Sequence, residues 1–280
     1  AAGADLGFRL NGVPAPMWTC IPVSEGDVIS FSGPAGNGCR TILAVSGGID
    51  VPEVMGSRST YARAGIGGFF GRALKTGDTV ACGAPPALWK AAAGFSCPEN
   101  LRPARDPEAP IRAVPGPQDD AFTEEGLDTL FSSAYTITNQ ADRMGYRLEG
   151  TKVAHRAGAD IVSDAIPLGA IQVPGHGQPI VMLADRQTTG GYTKAAVVLT
   201  ADLANLAQRM PGQGVRFAPS TPEEGARLLA ERAARLDSLL QLRAEFRSRP
   251  RNGTGGTRAT SGGFSMKIDG KTATIQWQEL

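Results

Sequence analysis

Short apolar and polar stretches, separated by glycine-rich turns, fill the first ninety or so residues. The pattern predicts strands over residues 7–10, 13–21, 28–31 and 41–45, with Asn11 and Gly12 as a hairpin turn. No alternating long helices supply the crossovers that a nucleotide-binding α/β sheet needs. Many short strands therefore favour an antiparallel sandwich or closed barrel.

The chain is long enough for two ordinary domains. Proline and glycine concentrate around residues 97–116, which is typical of a connection. We predict a first domain over residues 1–98, a linker over 99–116 and a second domain over 117–280. A strand pattern resumes at 111–114, and a final hairpin is predicted to turn on Asp269 and Gly270. The fold class is mainly β with some helix (α+β).

One long helix is predicted over residues 221–248. Thr221 is a good N-cap, Pro222 suits the first helical position, and Glu224 lies three residues after the cap. An apolar stripe at helical spacing is expected to cover a sheet face or a barrel opening rather than to bind a partner; it consists of Leu229, Ala233, Leu236 and Leu240. Glu231 and Arg235 are predicted to form an i, i+4 ion pair.

Composition removes several function classes. With 28 basic and 27 acidic side chains, the net charge of +1 favours neither nucleic acid nor an anionic membrane as a partner. No apolar run approaches the roughly 20 residues that span a bilayer, and no signal peptide is evident. Four scattered cysteines and two histidines predict no metal site and fit a cytoplasmic protein. No phosphate-binding loop or dinucleotide fingerprint occurs.

The most polar segment, residues 185–194 (DRQTTGGYTK), lies between two buried-strand patterns. A tight hairpin needs about two to five loop residues, so ten polar ones suggest a binding site. Asp185 is a candidate base or acceptor, and Arg186 and Lys194 are candidate anion partners. The other candidate anion-binding residues are Gln187, Thr188, Thr189, Gly190, Gly191 and Tyr192, the glycines through positive φ and close backbone approach. Alternatively, the segment is a hairpin whose hydroxyls satisfy its own backbone.

Two further clusters could contribute. Arg143 and Arg147, with Asn139 nearby, could bind a carboxylate or phosphate, or the arginines could pair with structural acids such as Asp119 or Asp185. In the segment 56–61 (GSRSTY), the guanidinium of Arg58 and the hydroxyl of Ser59 suit an oxyanion, but a capped turn explains them equally well.

These clusters, in this order, resemble a known family. The motifs are AVSGGIDVPEVMGSRSTY (44–61), GPQ (116–118), DRMGYRL (142–148), GAIQVP (169–174) and GQPIVMLADRQTTGGY (177–192). They are similar to those of allophanate hydrolase subunit 2, a family also described as biotin-dependent carboxyltransferase-like proteins or as the C-subunit type of 5-oxoprolinase. The resemblance implies two cyclophilin-like β-barrel domains.

The resemblance also implies a multi-subunit enzyme. The first hypothesis is a subunit of an ATP-dependent 5-oxoprolinase, which opens 5-oxoproline to glutamate together with a subunit 1-type cyclophilin-like protein (the B subunit) and a lactam-utilisation protein (the A subunit). ATP with magnesium would be shared with a partner subunit. Arg143, Arg147 and Lys194 would bind phosphate or the substrate carboxylate, and Asp185 would position a proton or a metal-bound nucleotide; Asp185, Lys194 and Arg143 are the candidate catalytic residues.

Two alternatives follow from the same family. One is the carboxyltransferase part of a urea carboxylase, with biotin as cofactor; Ser265–Ile268 (SMKI) superficially resembles a biotin-carrier motif but lacks its second methionine. The other is a non-catalytic partner of a kinase inhibitor. Thr193 stands where the family usually has proline, which leaves the stiffness of that loop open. Family members also carry an N-terminal segment, so we expect the first domain of this chain to be truncated.

Overall fold

The chain divides into two compact units. The structure, a computed structural model, describes residues 1–34, 36–86, 89–249, 261–268 and 271–278. Unit 1 comprises Ala1–Arg102 and Leu236–Leu280, and unit 2 comprises Pro103–Arg235. The mainly β class with few helices is confirmed. The expected domains of 1–98 and 117–280 differ from these units chiefly in where the chain after residue 235 belongs.

Unit 1 begins with short strands. They are β1 (Ala2–Gly3), β2 (Arg9–Leu10), β3 (Val13–Pro14), β4 (Val28–Phe31), β5 (Thr41–Ile42) and β6 (Thr79–Cys82), followed by single-turn 3-10 helices at Trp89–Ala92 and Glu99–Leu101. The predicted turn at Asn11 and Gly12 is confirmed by positive φ angles of 52° and 78°. The strand predicted over 13–21 stops after two residues, because Pro14 and Pro16 have no N–H to donate to a ladder.

Unit 2 contains a closed barrel. Its elements are β7 (Ile111–Pro115), a 3-10 helix (Asp119–Ala121), α1 (Glu124–Ser132), β8 (Ala134–Ile137), β9 (Gly145–Gly150), β10 (Asp160–Ala165), β11 (Ala170–Gln172), β12 (Ile180–Met182), β13 (Thr189–Tyr192), β14 (Lys194–Val198), α2 (Leu203–Leu206) and β15 (Gly214–Pro219). Seven strands close the barrel in the order β11-β12-β9-β8-β15-β7-β14, while β10 and β13 pair separately. Alternate side chains fill the interior, among them Tyr135, Ile137, Tyr146 and Leu148.

Strand β7 lies inside the predicted 99–116 linker. It pairs with β14 and with β15, so it is an integral barrel strand. The predicted linker therefore ends too late, because it was placed on the concentration of proline and glycine around this strand. Ile111 and Ala113 are fully buried, which shows that hydrophobic alternation at this position outweighs the nearby prolines.

The long helix α3 (Pro222–Ser248) begins as predicted. The hydroxyl of Thr221 accepts from the Glu224 N–H at 3.2 Å, as an N-cap does. Two details differ from the expectation. The apolar stripe is not covered, since Leu229, Leu236 and Leu240 are all exposed. Glu231 pairs with Arg227 on its N-terminal side rather than with Arg235.

The C-terminal hairpin belongs to unit 1. Strands β16 (Ser261–Ile268) and β17 (Lys271–Gln278) pair with each other and run parallel to β4 and β6, giving the sheet order β3-β2-β4-β16-β17-β6. The predicted Asp269–Gly270 turn lies outside the described residues. The expectation that this hairpin lies within a 117–280 domain is corrected, because the sheet needs both strands to complete its core. Phe264 and Ile275 are buried with Phe8 and Phe31.

Two global features follow from the described residues. None of the four cysteines, all of which lie in the described ranges, forms a disulfide, and burial raises the pKa of the Cys82 thiol. None of the helices in the described ranges is long and apolar enough to cross a membrane.

Candidate functional site

The polar segment 185–194 is only partly a turn. Its second half forms strand β13, which pairs antiparallel with β10 so that Gly190 lies opposite Asp164 and Tyr192 opposite Asp160. The expectation of a ten-residue turn is therefore wrong over residues 189–192. The polar composition of residues 189–192 did not predict a strand. A two-stranded ribbon outside the barrel buries little surface, so its residues can be polar.

Gly190 and Gly191 do not serve as flexible turn residues. Neither has a positive φ; both are extended members of β13. A Cβ on Gly190 would lie 2.6 Å from Ile166 Cδ1 and 3.4 Å from the side-chain nitrogens of Gln172 and Gln187. Glycine at position 190 thus accommodates neighbouring side chains, and the expected positive φ is corrected.

A buried lysine and an exposed carboxylate lie at the start of β14. The Nζ of Lys194 donates to Asp164 Oδ2 at 3.0 Å. The Lys194 side chain has no exposed surface, whereas that of Asp164 is 48% exposed. Burying an ammonium group is costly unless it is paired, and Asp164 supplies the pair. Asp164, which no sequence motif indicated, is thus part of the site.

Gln118 joins both members of this pair. Its side-chain Oε1 accepts from the Lys194 N–H at 3.3 Å, its own N–H donates to the Lys194 carbonyl at 3.4 Å, and its Nε2 donates to Asp164 Oδ2 at 3.1 Å. Gly116 permits this approach: a Cβ there would lie 2.0 Å from the Lys194 carbonyl oxygen. The GPQ motif therefore places a bridging amide between β14 and β10.

These contacts change the acidity of Asp164. The hydrogen bond from Lys194 holds the pKa of the Asp164 carboxyl below its usual value of 3.8, with help from the Ala165 N–H and the Gln118 amide. Donors that bind the ionised form stabilise it. At neutral pH this group is an anionic hydrogen-bond acceptor at the surface of unit 2.

The second charged pair joins the two signature motifs. Arg143 Nε and Nη2 donate to the two oxygens of Asp185 at 2.8 and 2.9 Å, and the Asp185 N–H donates to the Arg143 carbonyl at 2.8 Å. Hydrogen bonding to the carboxylate raises the pKa of the Arg143 guanidinium. Of the two interpretations left open for Arg143, ion pairing with Asp185 is the one observed.

Most of the remaining predicted residues of unit 2 are exposed to solvent. Arg186 donates to the carbonyls of Ile166 and Leu183, so it holds the turn together. Tyr192 is 42% exposed. The other predicted residues with exposed side chains are Asn139, Arg147, Gln187, Thr188 and Thr189. Arg147 alternates with the buried Tyr146 and Leu148 along β9, which places it on the outer face of the barrel.

Thr193 is held in place by hydrogen bonds. Its N–H donates to the Ala159 carbonyl at 3.0 Å, and its buried hydroxyl lies 3.1 Å from His155 Nε2 and 3.4 Å from the Val173 carbonyl. Because His155 Nε2 also lies 3.0 Å from that carbonyl, which can only accept, Nε2 carries the proton. These hydrogen bonds therefore hold the backbone just before Lys194 in place without a proline.

The last predicted residues, Arg58 and Ser59, belong to unit 1. Arg58 donates to the Ile49 carbonyl at 3.5 Å and lies 3.8 Å from Asp50, with both charged side chains largely exposed. The Ser59 N–H donates to the Ser57 hydroxyl at 3.1 Å. These contacts match the capped-turn interpretation, and an oxyanion role for this segment stays a prediction.

Comparison with known proteins shows the family of this chain. The model of the carboxyltransferase domain, subdomain A and B, matches residues 1–219, which include both charged pairs and Gln118. The chain belongs to the carboxyltransferase-domain family. The resemblance inferred from the motifs is confirmed.

Some similar proteins are named as 5-oxoprolinase subunits, and others as urea carboxylases or urea amidolyases. The chain is 38% identical over 224 residues to the C subunit of 5-oxoprolinase from Escherichia coli, covering 79% of this chain and 69% of that protein. It is 33% identical over 256 residues to the urea amidolyase of Lachancea kluyveri, covering 85% of this chain but 14% of that protein. Among solved structures, the Kluyveromyces lactis urea carboxylase matches with a TM-score of 0.77 at 29% identity, covering 85% of this chain and 22% of that one.

Proposed function

We propose that this carboxyltransferase-domain chain is a subunit of an ATP-dependent 5-oxoprolinase. The observation that carries the proposal is the 38% identity to the C subunit of a 5-oxoprolinase, which is matched over 69% of its length. The urea amidolyase relatives, by contrast, are matched over a small part of a much longer chain. As in the relative's name, the chain would work as one subunit among several.

The substrate proposed is 5-oxoproline, a cyclic amide. Opening it requires the loss of amide resonance and the stabilisation of charge on the carbonyl oxygen. The subunit 1-type protein (the B subunit) and the lactam-utilisation protein (the A subunit) would complete the site, and the cytoplasm is the proposed location.

Carboxylates already pair with most of the cations that were expected to bind ATP in this chain. Two of the three cations expected to bind phosphate are already matched by carboxylates, Arg143 by Asp185 and Lys194 by Asp164. The described part of the chain also contains no group of three or more His, Cys, Asp or Glu side chains suited to a metal ion. We therefore assign ATP and magnesium to the assembly and no step through them to these residues.

Within this proposal the two charged pairs have different tasks. Asp185 and Arg143 fix the junction of the two signature motifs, and Arg143, 64% exposed, keeps donors available to an anion. Lys194 acts on the reaction through Asp164, because its own ammonium group has no exposed surface.

Reconstitution tests the function. The chain is mixed with the A and B subunits, and glutamate release from 5-oxoproline is measured with and without ATP. ATP-dependent glutamate release supports the proposal. Wild-type assemblies that release none overturn it.

Variants of two lysines test the site in that assembly. Lys194→Ala should lower turnover by about 10²-fold or more while the protein stays folded, because the Asp164 carboxylate loses its principal donor. The matched control is Lys152→Ala, which removes an exposed lysine of the same unit. Unchanged turnover in Lys194→Ala would discard the assignment.

The second candidate is carboxyl transfer from carboxybiotin to urea. It is favoured by the urea carboxylase fold match at TM-score 0.77. Lys267, the lysine of the sequence that resembles a biotin-carrier motif, lies within β16, where Ser30 and Thr272 flank it on neighbouring strands. Avidin blotting of the purified chain tests attachment there, and urea-dependent consumption of carboxybiotin tests the reaction. The non-catalytic alternative, a partner of a kinase inhibitor, stays a prediction.

A further inference from the structure

We propose that Asp164 is the substrate-binding carboxylate of this site and accepts the N–H of an amide or urea group, with Lys194 and Gln118 as its positioning residues. The inference rests on the proposed function and names how its substrate is held. It concerns only groups within unit 2, on β10, β14 and the segment before the Asp119–Ala121 helix.

The hydrogen bonds around Asp164 leave one acceptor position. An ionised carboxylate offers about four lone-pair sites. Oδ2 receives two donors, Lys194 Nζ at 3.0 Å and Gln118 Nε2 at 3.1 Å, and Oδ1 receives the Ala165 N–H at 2.7 Å. Among the described residues, these three are the donors that contact it. The remaining lone pair belongs to Oδ1, on a side chain that is 48% exposed.

The environment fixes what this position can bind. Because donors surround Oδ2 and lower the pKa of the carboxyl, Asp164 stays ionised at neutral pH and is a weak base there. It therefore orients a donor rather than removing a proton. Within the described ranges, the charged side chain that contacts Asp164 is that of Lys194.

An N–H next to a carbonyl is the donor shared by the substrate classes of this family's named members. A cyclic amide such as 5-oxoproline has one such N–H, and urea has four. An acceptor that cannot donate favours N–H over an ether oxygen at the same position, since two facing acceptors repel each other. Asp164 would thus distinguish a lactam from the isosteric lactone.

The test measures that selectivity in the assembled complex. KM for 5-oxoproline and the inhibition constant of the matching lactone, 5-oxotetrahydrofuran-2-carboxylate, are measured for wild type and Asp164→Asn. For wild type we expect the lactone to bind at least about tenfold more weakly than 5-oxoproline. The side-chain amide introduced by Asp164→Asn can donate, so this variant should lose the selectivity or invert it. Unchanged selectivity in a folded Asp164→Asn complex overturns the inference.

A double variant separates substrate binding from charge balance. The measured quantity is the ratio of the lactone inhibition constant to the KM for 5-oxoproline. If Asp164 served only as the counter-ion of Lys194, removing both charges in Asp164→Asn/Lys194→Met would restore the wild-type value of this ratio. We expect the ratio to stay low in the double variant, and thermal melting checks that it is folded. Gln118→Leu should lower the ratio partially. Gln118→Glu puts a second carboxylate beside Asp164. Because the two negative charges repel each other, substrate binding should be lost at a higher pH than in wild type as the solution is acidified.

The same assays distinguish this inference from the proposed function. A wild-type complex that ignores 5-oxoproline but uses urea overturns the 5-oxoprolinase proposal alone, and the comparison is then made between urea and N,N,N′,N′-tetramethylurea, which has no N–H. A wild-type complex that uses neither overturns both.

Discussion

The guanidinium of Arg143 and the carboxylate of Asp185 meet in two parallel hydrogen bonds of 2.8 and 2.9 Å across 42 positions of sequence. This contact joins DRMGYRL to DRQTTGGY, the two most specific motifs of the chain. Arg143 remains 64% exposed despite the pairing. An exposed pair adds little stability, so its geometry matters more for recognition than for folding.

Arg143→Lys tests that distinction. Lysine keeps the charge but cannot make the paired contact, so the unfolding free energy should fall by less than about 1 kcal/mol. In the assembled enzyme, kcat/KM should fall by about tenfold or more, because the substrate would be misplaced. Urea denaturation and steady-state kinetics provide the two measurements. A large stability loss with normal kinetics would instead make the pair a folding contact.

The burial of Lys194 predicts a contrast between two substitutions. Lys194→Ala leaves a cavity in the barrel wall and should cost about 2–5 kcal/mol of unfolding free energy. Lys194→Met keeps the volume and removes the buried charge, so its stability should lie within about 1.5 kcal/mol of wild type. Chemical denaturation of both variants checks this order. Equal losses would show that the ion pair, rather than packing, stabilises this position.

Acid should weaken unit 1 through Asp78. The Arg72 guanidinium donates to both Asp78 oxygens at 2.7 and 2.9 Å and lowers the Asp78 pKa from 3.8 to about 2. A depressed folded-state pKa gives stability that is present above the unfolded value of 3.8 and lost as pH falls towards 2. Asp78→Asn should therefore be less stable than wild type at pH 6, and the difference should vanish near pH 2. Denaturation at several pH values tests this; a constant difference would contradict it.

The hydroxyl of Thr193 should contribute more stability than those of its neighbours. Thr193→Val keeps the shape but removes the buried hydrogen bonds to His155 and Val173, which should cost about 1–2 kcal/mol. Thr188→Val, an exposed change in the same motif, should cost less than about 0.5 kcal/mol. Thermal melting of the two variants gives the comparison. Similar melting temperatures would mean that water replaces the Thr193 contacts.

Local sequence was informative where local chemistry decides the structure. The cap of α3 at Thr221 and the turn at Asn11–Gly12 depend on residues within a few positions, and both were predicted. The C-terminal hairpin was expected within the 117–280 domain because its strands β16 and β17 give no local sign of their parallel partners β4 and β6. Such pairing is set by which distant surfaces remain to be covered.

The candidate site shows the same contrast between local motifs and contacts that are distant in sequence. Asp185, Arg143 and Lys194 stand in conspicuous motifs and were predicted, although their partners were not all foreseen. Asp164 lies in β10, outside the conspicuous motifs, and its contact with Lys194 joins residues 30 positions apart in the sequence. Gln118 was visible in the GPQ motif, but its role depends on contacts with two other elements.

Gly116 offers a final test of how the site is built. It is glycine because the chain there packs directly on the Lys194 backbone, where a Cβ would lie 2.0 Å from the carbonyl oxygen. Backbone atoms cannot rotate away as a side-chain end can, so Gly116→Ala must displace the segment that carries Gln118. We expect a loss of about 1–3 kcal/mol in unfolding free energy.

Gly175→Ala is the matched control, since its Cβ would meet only Ala159 Cβ at 3.9 Å. It should change stability by less than about 1 kcal/mol, with either sign, because reduced freedom of the unfolded chain offsets any small contact. Denaturation measures both variants, and turnover of the assembled enzyme should fall for Gly116→Ala alone. If Gly116→Ala is as stable and active as the control, Gln118 does not need its observed position, and the bridging role assigned to it must be abandoned.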